Sequence, residues 1–514
     1  MTAFPPSPGT GRACAASVIG IEGHLTHAEA TIVNGPPGLR ITGMPDTAVR
    51  EARDRVYAAV LNSGQAWPAR VITVTLRPAS LPRHGTGLDL PIAVAALTAA
   101  GVVPAAAADS CVFTAGLGLD GSLRPVRGVM PGLLAARRAG CTRVVVATEN
   151  AAEAVMVAGL AVVPCASLHA VLAWLRGEPF PPPDILTADI PAPVTGVLTG
   201  ASLASLAVPP YARQALEASA AGGHHLCLTG PHSSRIPALA AGLATLMPPL
   251  SPDHVMEVTA IHSAAGLLRS GHALITRPPF RAPHHTATRA AILGGSTATI
   301  GPGEAALAHR GVLFLHDAPE VPRDILTSLR QPLQAGEITV ARAGTTVRFP
   351  AKFTFIASMA PCPCGRRTDC SCGTLQARRY CARLAAELGS YRAILIDVAS
   401  PSPGTPGTGR ADDDQDATSA IRVAAARDRA RHRLRDTPWQ VNADIPAAEL
   451  RRSYPPLAEA LAPVSRAAGL GEISARAAHD VVRVAWTLTD LAGAARPGPE
   501  ECGQALAFQL GVAR

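Results

Sequence analysis

The stretch Leu226-Cys227-Leu228-Thr229-Gly230-Pro231-His232-Ser233-Ser234-Arg235-Ile236-Pro237 constrains this chain more than any other. An apolar run ends at Gly-Pro and a short polar loop follows. An Ala/Leu-rich segment, Ala238 to Met247, then shows helical spacing. Strand, loop and helix in that order form the frame of a phosphate-binding loop. Such a loop places a final Gly for close backbone approach, a Lys for the β- and γ-phosphates, and a Ser or Thr for Mg²⁺. Arg235, Ile236 and Pro237 stand at those three places. The frame is present and its chemistry is not.

A chain of 514 residues has room for about three domains. Residues 14–176 read as one α/β unit. Its β-rich runs are 30–33 and 71–76, and a helix is expected from Asp46 to Asn62 with Val49, Val56 and Val60 on one face. A helix at 132–139, a strand at 144–147 and a helix at 151–157 follow. Residues 177–210 are rich in Pro and small residues and read as a linker. A second α/β unit spans 211–399, with strands at 226–229, 311–315 and 352–359 alternating with helices. That alternation predicts a parallel sheet covered on both faces. Residues 400–417 read as a disordered linker, Pro/Gly/Ser-rich and then acidic. Residues 418–514 read as all helix, most clearly Ser474 to Ala495 with Ser474 as cap.

The net charge of +8 is a modest excess, compatible with a nucleic-acid partner and equally with a mildly basic surface. The apolar segment 90–108 is interrupted by Pro91 and Pro104, so a buried helix is expected there and no membrane span. The N-terminus lacks the basic start and apolar core of a signal peptide, and a cytoplasmic location is expected.

Several stretches carry a resemblance. They are Gly43-Met44-Pro45-Asp46-Thr47-Ala48-Val49-Arg50-Glu51-Ala52-Arg53, Arg277-Pro278-Pro279-Phe280-Arg281-Ala282-Pro283-His284-His285-Thr286, Gly301-Pro302-Gly303-Glu304, Pro361-Cys362-Pro363-Cys364-Gly365 and Ser474-Ala475-Arg476-Ala477. In this order the chain resembles the magnesium-chelatase-like AAA+ ATPases of the YifB/ComM type. The resemblance implies a Lon-protease-like N-terminal domain, an AAA+ parallel-sheet domain and a C-terminal helical lid. It implies ATP with Mg²⁺, a ring of homo- or hetero-oligomeric subunits, and DNA as a partner. No Ser/Lys pair suggests proteolysis, because the single lysine is Lys352.

The family's nucleotide motifs are carried over by position. Gly230, Pro231, Ser234 and the lid arginine Arg476 match. Arg235, Ile236 and Pro237 replace Gly, Lys and Thr. His316 and Asp317 replace the Asp-Glu pair that ends the second buried strand. Ala360 replaces the sensor Asn, and Gly389 to Ala393 replace the arginine-finger segment, with Arg392 near its place. Losing these groups together removes most electrostatic contributors to phosphoryl transfer. The expected function is therefore a catalytically impaired relative of a DNA-acting motor, serving as scaffold or regulator. Two other readings stay open: a working ATPase with unusual motifs, and a metal-chelatase subunit.

Eleven cysteines include four in the pattern C-x-C-x5-C-x-C: Cys362, Cys364, Cys370 and Cys372. Four thiolates in one loop suit a structural zinc, while the tight C-x-C spacing suits uncoordinated or redox-labile thiols as well. His284-His285 would point to opposite faces of a strand, so an interface role is expected over a shared metal. Arg281, Arg323, Arg330, Arg342 and Arg348 are candidates for a basic DNA-lining surface, or for ordinary solvated or intersubunit arginines.

Overall fold

The computed structural model describes residues 9–43, 46–78, 81, 86–109, 111–179, 203, 208–231, 235–268, 274–295, 300–342, 345–365, 372–398 and 413–512. Among these, two large sheets dominate. The first has seven strands: β1 (Thr10–Ile19), β2 (Glu22–Val33), β3 (Gly38–Thr42), β4 (Val71–Arg77), β5 (Cys111–Thr114), β8 (Arg143–Ala147) and β9 (Ala161–Cys165), in the order β3-β4-β2-β1-β5-β8-β9. A small ribbon of β6 (Gly116–Leu117) and β7 (Leu123–Arg124) lies beside it. The sheet is mixed. β1, β2 and β4 pair antiparallel, and the outer pairs run parallel.

The Asp46–Asn62 helix forms as its spacing predicts, with Val56 and Val60 buried and Val49 packed against the same core. The Asp89–Ala99 helix is buried at every position. It tolerates Asp89 because Arg55 Nε and Nη2 donate to that carboxylate at 2.7 and 3.2 Å. Burial pushes the Asp89 carboxyl up and the Arg55 pair opposes it. The long β1–β2 hairpin was legible only in part, through its last strand residues.

The second sheet contains β10 (Leu226–Thr229), β11 (Phe280–Arg281), β12 (Val312–Leu315), β15 (Thr354–Met359) and β16 (Ile394–Asp397) in the order β11-β12-β15-β10-β16. Every pairing is parallel, as predicted. Alternate residues feed two cores. Leu226, Leu228, Phe314, Ile356 and Ile394 join one cluster, while Cys227, Leu313, Leu315, Phe355 and Ala357 join another. A sheet buried on both faces must be apolar at consecutive positions, which these strands are. β13 (Glu337–Arg342) and β14 (Thr345–Pro350) form a separate hairpin that the sequence reading did not anticipate.

This hairpin joins the two units. Gly20, at the β1–β2 turn with φ +66, sits so near Val347 that an added Cβ would lie 2.2 Å from Val347 Cγ1. Ile19, Ile21, Val347, Phe349 and Ile261 form one small core there. A second link is the buried Glu153, which accepts from the Ser263 hydroxyl and from the Met130 N–H. Burial raises its carboxyl above the ordinary range.

The C-terminal region is helical: Asp413–Arg433, Ala447–Arg452, Ala462–Gly469, Ala475–Ala492 and Pro499–Leu510. Ser474 caps the fourth of these by accepting from the Ala477 N–H at 3.2 Å. Val423, Val481, Val484, Leu488 and Phe508 share a core with the parallel sheet. Arg433 forks onto Asp490 at 2.6 and 2.7 Å and stacks over Trp486.

Two spacer expectations are corrected. Leu203, inside the stretch read as a linker, is fully buried against Gly242, where a Cβ would lie 2.3 Å from Leu203 Cδ2. The Asp413–Arg433 helix begins inside the stretch read as disordered, and Asp416 pairs with Arg213 at 2.8 Å. Residues 180–202, 204–207 and 399–412 lie outside the described residues.

Candidate functional site

Parallel strands gather their carboxyl ends at one edge, where ligands of open α/β sheets bind. The edge collects Thr229-Gly230 from β10, His316-Asp317 from β12, Ser358 to Ala360 from β15 and Asp397 from β16. The Gly230 N–H donates to the Met359 carbonyl at 3.2 Å and the Val398 N–H to the Thr229 carbonyl at 2.6 Å. Tyr211 locks the outer strand by donating to the Asp397 carbonyl at 2.6 Å.

The helix after the loop starts at Ile236, with Pro237 at its second position. Strand, loop and helix thus follow in the order expected from sequence. Ile236 is 3% exposed and packs with Leu239, Ala240 and Leu243 in the core. Its side chain turns into that core. Pro237 carries no N–H for an anion, so this helix start lacks one of its usual donors. Arg235 is exposed. Ser234 lies outside the described residues, as do His232 and Ser233.

Beyond β12, His316 Nδ1 lies 2.7 Å from Ser358 Oγ, and the Asp317 N–H donates to the same oxygen at 3.1 Å. Asp317 adopts the left-handed conformation, φ +49. Its carboxylate is 3.7 Å from His316 Nε2. An imidazole is a poor ligand for Mg²⁺, which selects oxygen, and this one is already engaged by Ser358. Ala360 is buried and supplies no polar group. Ser358 and Asp397 were missed by the sequence reading. The signal for Asp397 was present, as the acid that closes the apolar run Ile394-Leu395-Ile396.

The structure does not bring Arg476 to this edge. Its guanidinium stacks 4.5 Å over the Tyr391 ring, and Tyr391 precedes β16. β10 and β16 are in register from Leu226–Ile394 to Thr229–Asp397. Arg476 therefore sits at the strand-start edge, roughly 10 Å of strand away from Gly230. A cleft of about 480 Å³ opens there between Arg392, Ser474 and Gln509.

Lys352 lies two residues before β15, and its Nζ is 2.7 Å from Asp444. No lysine thus reaches the loop. Among the described residues the carboxyl edge carries no lysine, and its hydroxyls are those of Thr229 and Ser358.

The Sγ atoms of Cys362, Cys364 and Cys372 all lie within 4.8 Å of one another. Cys370 is outside the described residues. His284 and His285 do not diverge as expected: they occupy a turn, not a strand, and their rings lie 4.1 Å apart. Arg281 forks onto Glu304 at 2.6 and 2.7 Å, which ties it to structure. Arg323 and Arg348 are exposed and Arg330 is half-buried, whereas the Arg342 side chain is not described.

Three family descriptions match the chain in sequence: "Subunit ChlI of Mg-chelatase" over residues 28–150, "Magnesium chelatase, subunit ChlI" over 203–404, and its C-terminal region over 414–509. A Mycobacterium tuberculosis protein, Rv2897c, is 40% identical over 98% of this chain and 99% of its own length. YifB of Escherichia coli is 34% identical over 85% of this chain and 84% of its own. The competence protein ComM of Haemophilus influenzae is 33% identical over 96% of both. Among the described residues no helix is long and apolar enough to cross a membrane. Parallel strand order, helical C-terminal region and full-length similarity agree: the chain belongs to the magnesium-chelatase-like AAA+ family of the YifB/ComM type.

Proposed function

We propose that this chain is a hydrolysis-impaired member of its family, acting as a scaffold or regulatory subunit in a ring that contacts DNA in the cytoplasm. The observation that carries the reading is Ile236. The position that should offer a cation to phosphate is a core residue, 3% exposed. Pro237, His316 and Ala360 remove the remaining donors by the same logic. Sites kept at the loop are Gly230, Pro231 and Ser234, enough frame for loose nucleotide contact without turnover. Arg476 and Arg392 belong to the opposite edge, where they are available to a neighbouring subunit.

The units in this proposal are a Lon-protease-like domain at 14–176, the AAA+ domain at 211–399 and the helical domain at 418–514. The N-terminal unit is read as non-proteolytic, since Lys352, the single lysine, pairs with Asp444. DNA contact is assigned to exposed arginines such as Arg323 and Arg348, in keeping with the resemblance and with the net positive charge. One observation favours a second reading, the working ATPase: Asp317 and Asp397 still place two carboxylates at strand ends. The chelatase-subunit reading has only the family's description behind it.

The deciding experiment is Mg²⁺-dependent ATP turnover by purified protein, checked against a preparation cleared of contaminating ATPases. The expected result is none. Turnover of about 1 per second or more, an ordinary enzymatic rate, would overturn the reading.

A further inference from the structure

The segment after β15 holds chemistry that the nucleotide edge does not use. Cys362 is 3% exposed, and its carbonyl accepts the Gly365 N–H at 2.9 Å. Gly365 takes the left-handed conformation, φ +69, which any residue with a Cβ would resist. This turn folds Cys362-Pro363-Cys364 back on itself and brings two sulfurs to 2.9 Å. Cys372 arrives from the other end of the loop, two residues before the Thr374–Leu388 helix. All three Sγ atoms then lie within 4.8 Å of one another.

We infer that Cys362, Cys364 and Cys372 form a zinc–thiolate site that staples the end of β15 to the start of the Thr374–Leu388 helix. A tetrahedral zinc with Zn–S bonds of about 2.3 Å sets its sulfurs roughly 3.8 Å apart, inside the spread seen here. Binding would open the Cys362–Cys364 pair and leave the turn intact. Three mutually close sulfurs cannot all be satisfied by one disulfide, whereas one soft cation satisfies all three at once. Hard cations are excluded by the same donors, because Mg²⁺ and Ca²⁺ select oxygen. Three thiolates leave one position of a tetrahedral zinc to a further ligand.

The site has a mechanical position. Cys362 is three residues past Met359, whose carbonyl accepts the Gly230 N–H. A metal that fixes the loop therefore fixes the end of β15 and, through it, the first residue of the degenerate phosphate loop. This inference stands apart from the question of ATP turnover, because it needs no nucleotide.

The test is metal content of the full chain, expressed with zinc in the medium and purified under reducing conditions without chelator. About one zinc per chain is expected, the number one tetrahedral site takes. Cys364→Ser and Cys372→Ser should each reduce zinc to background. Cys502→Ser, at a buried thiol in another cluster, should leave it unchanged. A second readout needs no variant: wild-type protein stripped and refilled with Co²⁺ should show sulfur-to-cobalt charge transfer and the strong visible bands of tetrahedral cobalt. Zinc at background in wild type together with a cobalt spectrum lacking charge transfer would overturn the site. So would a full zinc complement that survives both Cys364→Ser and Cys372→Ser.

Discussion

Lys352 and Asp444 meet at 2.7 Å, joining the segment just before β15 to the helical C-terminal region. Lys352 is the single lysine of the chain. Its side chain is 42% exposed, so the pair is partly screened by water. Replacing it, Lys352→Met, should lower unfolding free energy by about 0.5–1 kcal/mol, the range of exposed ion pairs. Nucleotide binding, measured by calorimetry, should not change. A loss of nucleotide affinity would place the lysine nearer the phosphate loop than this geometry does.

The buried state of Ile236 gives a sharper outcome. Ile236→Lys, which puts a lysine where a phosphate-binding loop carries one, should destabilise the protein by about 2–4 kcal/mol, because a charge enters a core with no partner. Ile236→Val should cost only about 1 kcal/mol. Urea unfolding of the two variants checks this. Equal, small losses would mean that the side chain at 236 already reaches solvent.

Acid sensitivity should come from the histidines before β10. Burial pushes His224 down to about 3 and His225 down to about 4. His224 bonds Thr487 at 2.7 Å, and His225 Nδ1 accepts the Phe355 N–H at 3.1 Å, which requires a neutral ring. Both rings protonate more readily when unfolded, near the ordinary 6.5. The unfolded chain therefore binds more protons, and stability falls as pH drops from 6.5 toward about 4. A pH series of unfolding free energies should show that slope, and His224→Gln should flatten it. A profile flat between those limits would reject the neutral pair.

DNA binding should be weak, independent of sequence and of ATP, and steeply weakened by salt through counterion release. Arg348→Glu, at an exposed position on β14, should lower affinity and the salt slope with little effect on folding. Arg281→Ala should do the reverse. It removes the forked pair with Glu304, costs about 1–3 kcal/mol of stability, and leaves the salt slope alone. Anisotropy across a salt series separates them. Binding that strengthens with ATP would show that the site still switches, against the argument from Ile236 and Pro237.

Much of the fold was readable because its strongest signals are local. The Asp46–Asn62 helix, β4, β8, the buried strands of the second sheet and the Ser474 cap follow from spacing and capping chemistry within a few residues. The β1–β2 hairpin was not readable in full: Thr10 to His27 carries many small and polar residues, and beyond their mutual pairing its strands rest on partners far along the chain. The β13–β14 hairpin is different: its strands pair with each other, and the alternation of Ile338 with Val340 and of Val347 with Phe349 was a local signal that the sequence reading passed over. At the candidate edge, Ile236 and Pro237 could be placed from sequence, since strand, loop and helix are contiguous. Arg476 could not. Its position depends on how the Ala475–Ala492 helix docks, which no local pattern encodes, and docking put it over Tyr391.

Leu203 in its notch over Gly242 bears on how such a chain can be cut and rejoined in evolution. A crossover placed at residue 211, after all the Pro-rich spacer, would inherit the parallel sheet with an unfilled socket on its first helix layer. The partner sequence would have to bring its own apolar plug or a larger residue at 242. A crossover upstream of 203 carries plug and socket together. The "Magnesium chelatase, subunit ChlI" match begins at that same leucine.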